Sequence, residues 1–470
     1  MSERVGQVVR LPGDRWFMQR RAASANQFKL YVRDGLNGND RLLVDPEALE
    51  KSTGKPHAIN YFAPSPDGAR VAYGLSQQGS EEAVLHLMNA RTGAPIGKPV
   101  SRANFGAVDF APDNRSFVFN RLQELKPGAA PTDKYQDSQV WLLRAGESEA
   151  KAKVVFGTAI PGLGIGPAEL PFVSLSDDGR WAFGFVINGT QREFALFVSP
   201  QRALLAGRPV WRRIVAASDD VTGMTYARNH VYLVSQKGAP RSQVLALDLA
   251  RGDIAAATVV VPASERVVGG VAAAADALYI ETRDGNIKRL YRRAYAADAE
   301  TREVKLPVDG SFQLADDESG ASAANPRLPG VVINLQGWTR ASQVYVVNSD
   351  GSVANTGLQP KGAFDEPADV VATEVKVRAA DGAMVPMSII HRKGVALDGN
   401  NPTLLYGYAS YGITEEPFFS VSRLAWLDAG GVYAIANPRG SAVYGHDWYR
   451  AGYQATKPKP GTTSSPAPST

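Results

Sequence analysis

No cysteine occurs among the 470 residues. That excludes disulfides, thiol catalysis and thiolate metal sites, and it leaves the cellular compartment open. No apolar stretch approaches the ~20 residues a membrane-crossing helix needs, so no membrane partner is expected. The opening residues, MSERVGQVVRLPGDRWF, lack the apolar core of a secretory signal. A cytoplasmic location is therefore expected, or a periplasmic one if an N-terminal signal was lost. Neither sign of charge dominates: 51 Lys+Arg face 47 Asp+Glu, with no basic stripe. Nucleic acid is not expected as a partner. There are five histidines (His57, His86, His230, His391 and His446) and no H-E-x-x-H, EF-hand or phosphate-loop pattern. No metal, nucleotide or other cofactor is expected. Nor is there a G-x-S-x-G, the strand-to-helix elbow on which α/β hydrolases mount a serine.

What the sequence has in quantity is short strands between tight turns. A turn cluster followed by an apolar strand recurs as SPDGARVAYGLS from Ser65, APDNRSFVFNRL from Ala111 and SDDGRWAFGFVI from Ser176. Weaker versions start at Tyr226, Ala274 and Gly337, and a first pass starts at Arg15. Asp-Gly and Asp-Asn supply the turns, and β-branched and aromatic residues supply the strands. Asp67, Asp113 and Asp178 read as turn formers, not ligands. Units spaced about 45–65 residues apart, with several strands each, predict a β-propeller of about seven blades; two unrelated all-β domains are the alternative. The acidic, then small-residue run 315–324 reads as an exposed loop between blades.

Near Thr373 the pattern changes. TEVKVRAADGAMVPMSIIHRKG predicts a hairpin through Asp381-Gly382. A strand from Pro402 to Tyr408, a helix from Ser420 to Ala429 and a strand VYAIAN after Gly430-Gly431 form the start of an α/β layer. Residues 457–470 are rich in Pro, Ser and Thr, and disorder is expected there. The expected fold is mostly β: a propeller over 1–367, an incomplete α/β layer over 368–456, which the resemblance given next implies is an α/β-hydrolase fragment, and a disordered tail.

The motifs of the second part resemble, in order and spacing, the prolyl oligopeptidase family of serine peptidases. They are Val385-Pro386-Met387, the strand end Tyr406-Gly407-Tyr408-Ala409-Ser410-Tyr411, the SVSRL helix from Ser420, Gly430-Gly431-Val432 and the loop Arg439 to Gly445. LYVRDGLNG at Leu30 and VAYGLSQQGSE at Val71 resemble the early propeller of that family. The resemblance implies a serine-type oligopeptidase that cleaves short peptides after proline through an acyl-enzyme, with the propeller as a size filter; the sequence does not fix the oligomeric state, and a monomer is the expectation. It places Tyr408 as a hydroxyl donor to the oxyanion and Tyr411 as a wall of the proline pocket; the alternative is that both are buried strand-end aromatics. Two departures weaken a transfer of proline preference: Ala409-Ser410 stands where the family has Gly-Gly, and Ser441-Ala442-Val443 where it has Gly-Gly-Glu.

In that family the serine, aspartate and histidine follow in sequence, beyond Thr470, so this chain is expected to lack the triad and to be inactive alone. Ser441 is no elbow, His391 reads as structural and His446 as a surface-loop residue. The start also falls short of the family's usual N-terminal segment. Codons compatible with 461–470, read in a shifted frame, can encode HDFIACAEY, similar to the family's next helix. The expectation is an indel near Lys457 to Pro460 that ended the protein early. Two other outcomes remain open at this point: a propeller serving as a peptide- or protein-binding module, and a product with no function.

Overall fold

The computed structural model describes residues 2–314 and 322–457. Most of the acidic run 315–324 and the tail 458–470 lie outside the described residues.

Seven small antiparallel sheets follow one another along the chain, over 4–44, 57–89, 109–157, 169–215, 221–261, 267–304 and 331–355, each with its strands in chain order. Consecutive sheets bury a shared apolar layer. Phe17 and Leu30 of blade 1 meet Phe62 and Val71 of blade 2. Tyr61 and Leu85 meet Phe117 of blade 3. Val140 meets Val173 of blade 4, Leu196 meets Leu233 of blade 5, Val244 meets Ile280 of blade 6, and Tyr279 meets Tyr345 of blade 7. The ring closes where Trp16 and Met18 of blade 1 pack on Val344 and Leu358 of blade 7. The fold is a seven-bladed β-propeller, as the repeats predicted.

The strong repeats hold their phase. The turns at Ser65, Ala111 and Ser176 each join the first and second strands of blades 2, 3 and 4. Their aspartates cap their own turns: Asp67 accepts from the Ala69 N–H at 2.9 Å, Asp113 from Arg115 at 2.8 Å and Asp178 from Arg180 at 3.0 Å. The segment from Arg15 keeps the same phase, opening on the second strand of blade 1 after the turn that follows Arg4–Leu11. In blade 7 the phase differs. The turn after Gly337 follows Val331–Leu335, itself bridged inward by Ser311↔Gln336 and Ala324↔Val331. Irregular backbone thus forms the inner edge of blade 7 and has no strand signature to read.

Among the described residues no strand from one end of the chain completes the sheet of the other, so blades 1 and 7 meet at the closing seam without a shared strand. Its apolar layer is also the smallest of the seven. Polar ties reinforce it. Arg4 grips Asp365 with two hydrogen bonds of 2.8 and 2.7 Å. Gln359 accepts from Val5 N–H at 2.7 Å and donates to Glu3 O at 2.8 Å. Asn325 donates to Arg10 O at 3.1 Å. The bidentate Arg4 holds the Asp365 carboxyl below its ordinary pKa. Asp365→Ala is expected to cost about 2 kcal/mol, read as a shift of the urea midpoint, because a charge-assisted pair and the Gly362 N–H bond are lost together.

An ion pair joins two blades that are not neighbours. Arg327, in the turn ahead of Val331–Leu335, reaches Asp177, in the first turn of blade 4, at 3.1 Å. Blades 7 and 4 face each other across the ring, so this contact crosses the channel mouth.

An eighth sheet sits against the propeller. Its strand order is Val370–Arg378, Met384–Arg392, Val432–Ala436 and Thr403–Tyr406; the last two pair in parallel and the others antiparallel. The helix Val421–Asp428 connects the parallel pair and buries Leu424 and Leu427 against Ile390 and Ile435. This is the strand–helix–strand start expected of the α/β layer.

Candidate active site

Tyr408 and Tyr411 lie just past the strand Thr403–Tyr406, on a loop that returns to the helix Val421–Asp428. Their rings stand 6.4 Å apart and are 43 % and 52 % exposed, respectively. They are therefore not buried strand-end aromatics. The backbone between them is held in an unusual shape: Ala409 and Tyr411 both have φ of 56°, the left-handed region that residues with a Cβ disfavour. Gly440 shows how tightly the neighbouring loop approaches. Its φ is 98°, and a Cβ there would lie 2.3 Å from Ala409 O. The two loops are stitched together by Gly412 N–H to Gly440 O at 3.0 Å and Ala442 N–H to Gly412 O at 3.1 Å. Lys457 adds a bond to Ala409 O at 3.3 Å and another to Ser410 Oγ.

The other candidates fall where their chemistry is quiet. Ser441 is buried and its hydroxyl donates to Pro438 O at 2.8 Å, so it is no nucleophile elbow. His391 bonds the Arg392 carbonyl through Nδ1 at 2.8 Å. His446 is not on a surface loop. It begins the short helix His446–Arg450, its N–H donates to Pro240 O of blade 5 at 2.8 Å, and its half-buried ring meets the Tyr449 edge. Among the described residues no serine hydroxyl bonds a histidine ring.

Sequence reasoning missed the groups that connect this loop to the propeller. Lys288 of blade 6 is nearly fully buried and lies 3.0 Å from Glu281 and 2.9 Å from Glu416 of the loop. Burial pulls its pKa down, but the two carboxylates pull further, and the net is upward. Burial pushes Glu281 up, opposed by Lys288. Asn286 donates to Ser388 Oγ at 2.8 Å, and Ser388 donates to Glu374 at 2.8 Å. Glu374 also accepts from the Trp338 indole at 3.2 Å and is raised by burial. Asn437 and Glu415 exchange two bonds, 2.7 and 3.0 Å long. The only local sign was a run of charges, ETRDGNIK, inside an apolar hairpin of blade 6.

A seven-bladed propeller docked on the opening sheet of an α/β-hydrolase layer, with exposed tyrosines at the end of its first parallel strand, defines a class. The sequence comparisons give the family. Residues 7–324 match the prolyl oligopeptidase N-terminal beta-propeller domain, and residues 417–460 match the prolyl oligopeptidase family. The chain belongs to the prolyl oligopeptidase family.

It is 24 % identical to the prolyl endopeptidase of Elizabethkingia meningoseptica over 446 residues, covering 92 % of this chain and 58 % of that protein. It is 23 % identical to prolyl oligopeptidase A of Galerina marginata, covering 91 % and 58 %. A solved structure from a study of two prolyl endopeptidases and their inter-domain dynamics superposes with a TM-score of 0.85 at 25 % identity, over 99 % of this chain and 66 % of that one. Prolyl oligopeptidase B of Galerina marginata, bound to a 25-residue macrocyclisation substrate, shares the fold with a TM-score of 0.85 at 17 % identity. The chain thus spans about 58 % of the length of the curated relatives it matches.

Proposed function

We propose that these residues form the substrate-filtering propeller and the oxyanion side of a serine-type oligopeptidase acting on short peptides after proline. Tyr408 supplies a hydroxyl to the developing oxyanion and Tyr411 lines the pocket for the proline ring. A preset donor of this kind stabilises a tetrahedral intermediate by roughly 3 kcal/mol in a dry site. The observation that carries the reading is the exposed tyrosine pair on a left-handed turn, a geometry the surrounding loops hold against its own strain. In this reading the nucleophile, acid and base lie outside the 470 residues, and these residues alone hydrolyse nothing. Proline preference is where this chain departs most from the family pattern, because Ala409 and Ser410 put side chains where backbone would meet the substrate.

The test uses a proline anilide. The 470-residue chain is expected to release no aniline above the buffer rate. Fused to the part of the Elizabethkingia meningoseptica enzyme that the alignment does not reach, it should turn the substrate over, with Tyr408→Phe lowering kcat about a hundredfold. Turnover by the unfused chain, lost in Tyr408→Phe, would overturn the assignment of the reaction centre. A Tyr408→Phe fusion with undiminished kcat would remove Tyr408 from it.

A further inference from the structure

We propose that Arg283 of blade 6 is a positioning residue for the loop carrying Tyr408 and Tyr411, so that docking of the propeller and assembly of the oxyanion side are one event. Its importance for catalysis rests on the reading of Tyr408 above, whereas the clamp itself is a matter of geometry.

Arg283 ends up 7 % exposed, although it belongs to the propeller strand Ala277–Asp284. Its guanidinium points out of the blade into the α/β part. One arm donates to Thr414 Oγ1 at 2.7 Å, three residues past Tyr411. The other donates to Ala442 O at 3.0 Å, in the second of the two stitched loops. Glu416 lies 3.7 Å away and adds charge complementarity. A planar fork can hold two acceptors on separate loops at once, which the single ammonium of lysine cannot do with fixed geometry.

The need for such a clamp follows from the backbone. Two left-handed residues other than glycine, separated only by Ser410, do not persist on their own; strain of this kind survives where the surroundings over-determine it. Propeller side chains hold the loop beyond Tyr411: Arg283 at Thr414, Lys288 at Glu416, Asn286 at Glu415 O at 3.4 Å, Ser311 at Pro417 O at 2.5 Å and Gln336 at the Phe419 N–H at 3.5 Å. Of these, Arg283 alone also grips the opposite loop, and so fixes the spacing between them.

Backbone hydrogen exchange on the full 470-residue chain tests this. In Arg283→Ala, the amides of 410–416 and 440–445 are expected to exchange about tenfold faster, with blades 1–4 unchanged, since two charge-assisted bonds are lost locally. Arg283→Lys, able to reach one acceptor at a time, should fall between the two. Thr414→Val, which removes one acceptor and leaves the buried charge in place, should show the same pattern at smaller amplitude and stands in if Arg283→Ala does not fold. Unchanged exchange in both segments overturns the proposal, as does acceleration spread evenly over all blades, or an Arg283→Lys variant indistinguishable from the parent. None of these outcomes depends on whether Tyr408 serves an oxyanion, which only the fusion assay reports.

Discussion

Lys288→Ala is expected to lower the unfolding free energy by about 3–5 kcal/mol at pH 7.5, and by clearly less at pH 5. The ammonium stands between Glu281 and Glu416 and also donates to Phe312 O at 2.7 Å. Its removal leaves two carboxylates facing each other at a buried boundary. Glu281 already has its pKa raised by burial, with Lys288 opposing that shift, so loss of the ammonium lets it climb further. A carboxyl with a folded-state pKa above its unfolded value binds more protons when folded, so stability falls as pH rises through that window and returns on acidification. Lys288→Met, which keeps the stem volume, should show the same penalty, because the unpaired charges are the cause. Combining Lys288→Met with Glu281→Gln and Glu416→Gln should recover most of it. Urea midpoints at the two pH values decide the matter: equal losses at both would refute the electrostatic account.

Trp16→Ala should cost a similar amount, about 3–5 kcal/mol, but with a different signature. Trp16 is almost fully buried, packs with Met18, Val344 and Leu358, and anchors its indole N–H on Asp14 at 2.7 Å. It is the largest side chain in the thinnest of the interblade layers, at the one joint that no chain connection spans. The loss should therefore open the seam first. Exchange and limited proteolysis should rise selectively over 4–11 and 343–365. Phe117→Ala between blades 2 and 3 removes another fully buried aromatic from a larger layer, and should destabilise without that selectivity. Loss of protection spread equally around the ring in Trp16→Ala would contradict the seam's special weakness.

These two sites also show what a sequence can disclose. Blades 2, 3 and 4 are legible because their signal is local: an aspartate that bonds the backbone two residues ahead writes its function into a tetrapeptide. Blade 7 reads out of phase because it has an irregular inner edge tied by isolated bridges. Tyr408 and Tyr411 can be located by motif, but their exposure and the left-handed turn between them cannot. The clamp is hidden altogether. Arg283 and Thr414 are 131 residues apart, and nothing near either of them names the other. His446 is misplaced by sequence reasoning for the same reason: its neighbour, Pro240, is a propeller residue some two hundred positions earlier.

The contact between Arg327 and Asp177 has a mechanical meaning for the wheel as a whole. Neighbouring blades are glued face to face, but this pair is a spoke, tying opposite rims at one opening of the axle. If the proposed filtering role holds, a peptide entering from that side would have to displace the guanidinium from its carboxylate, so entry there would depend on charge as well as on bore.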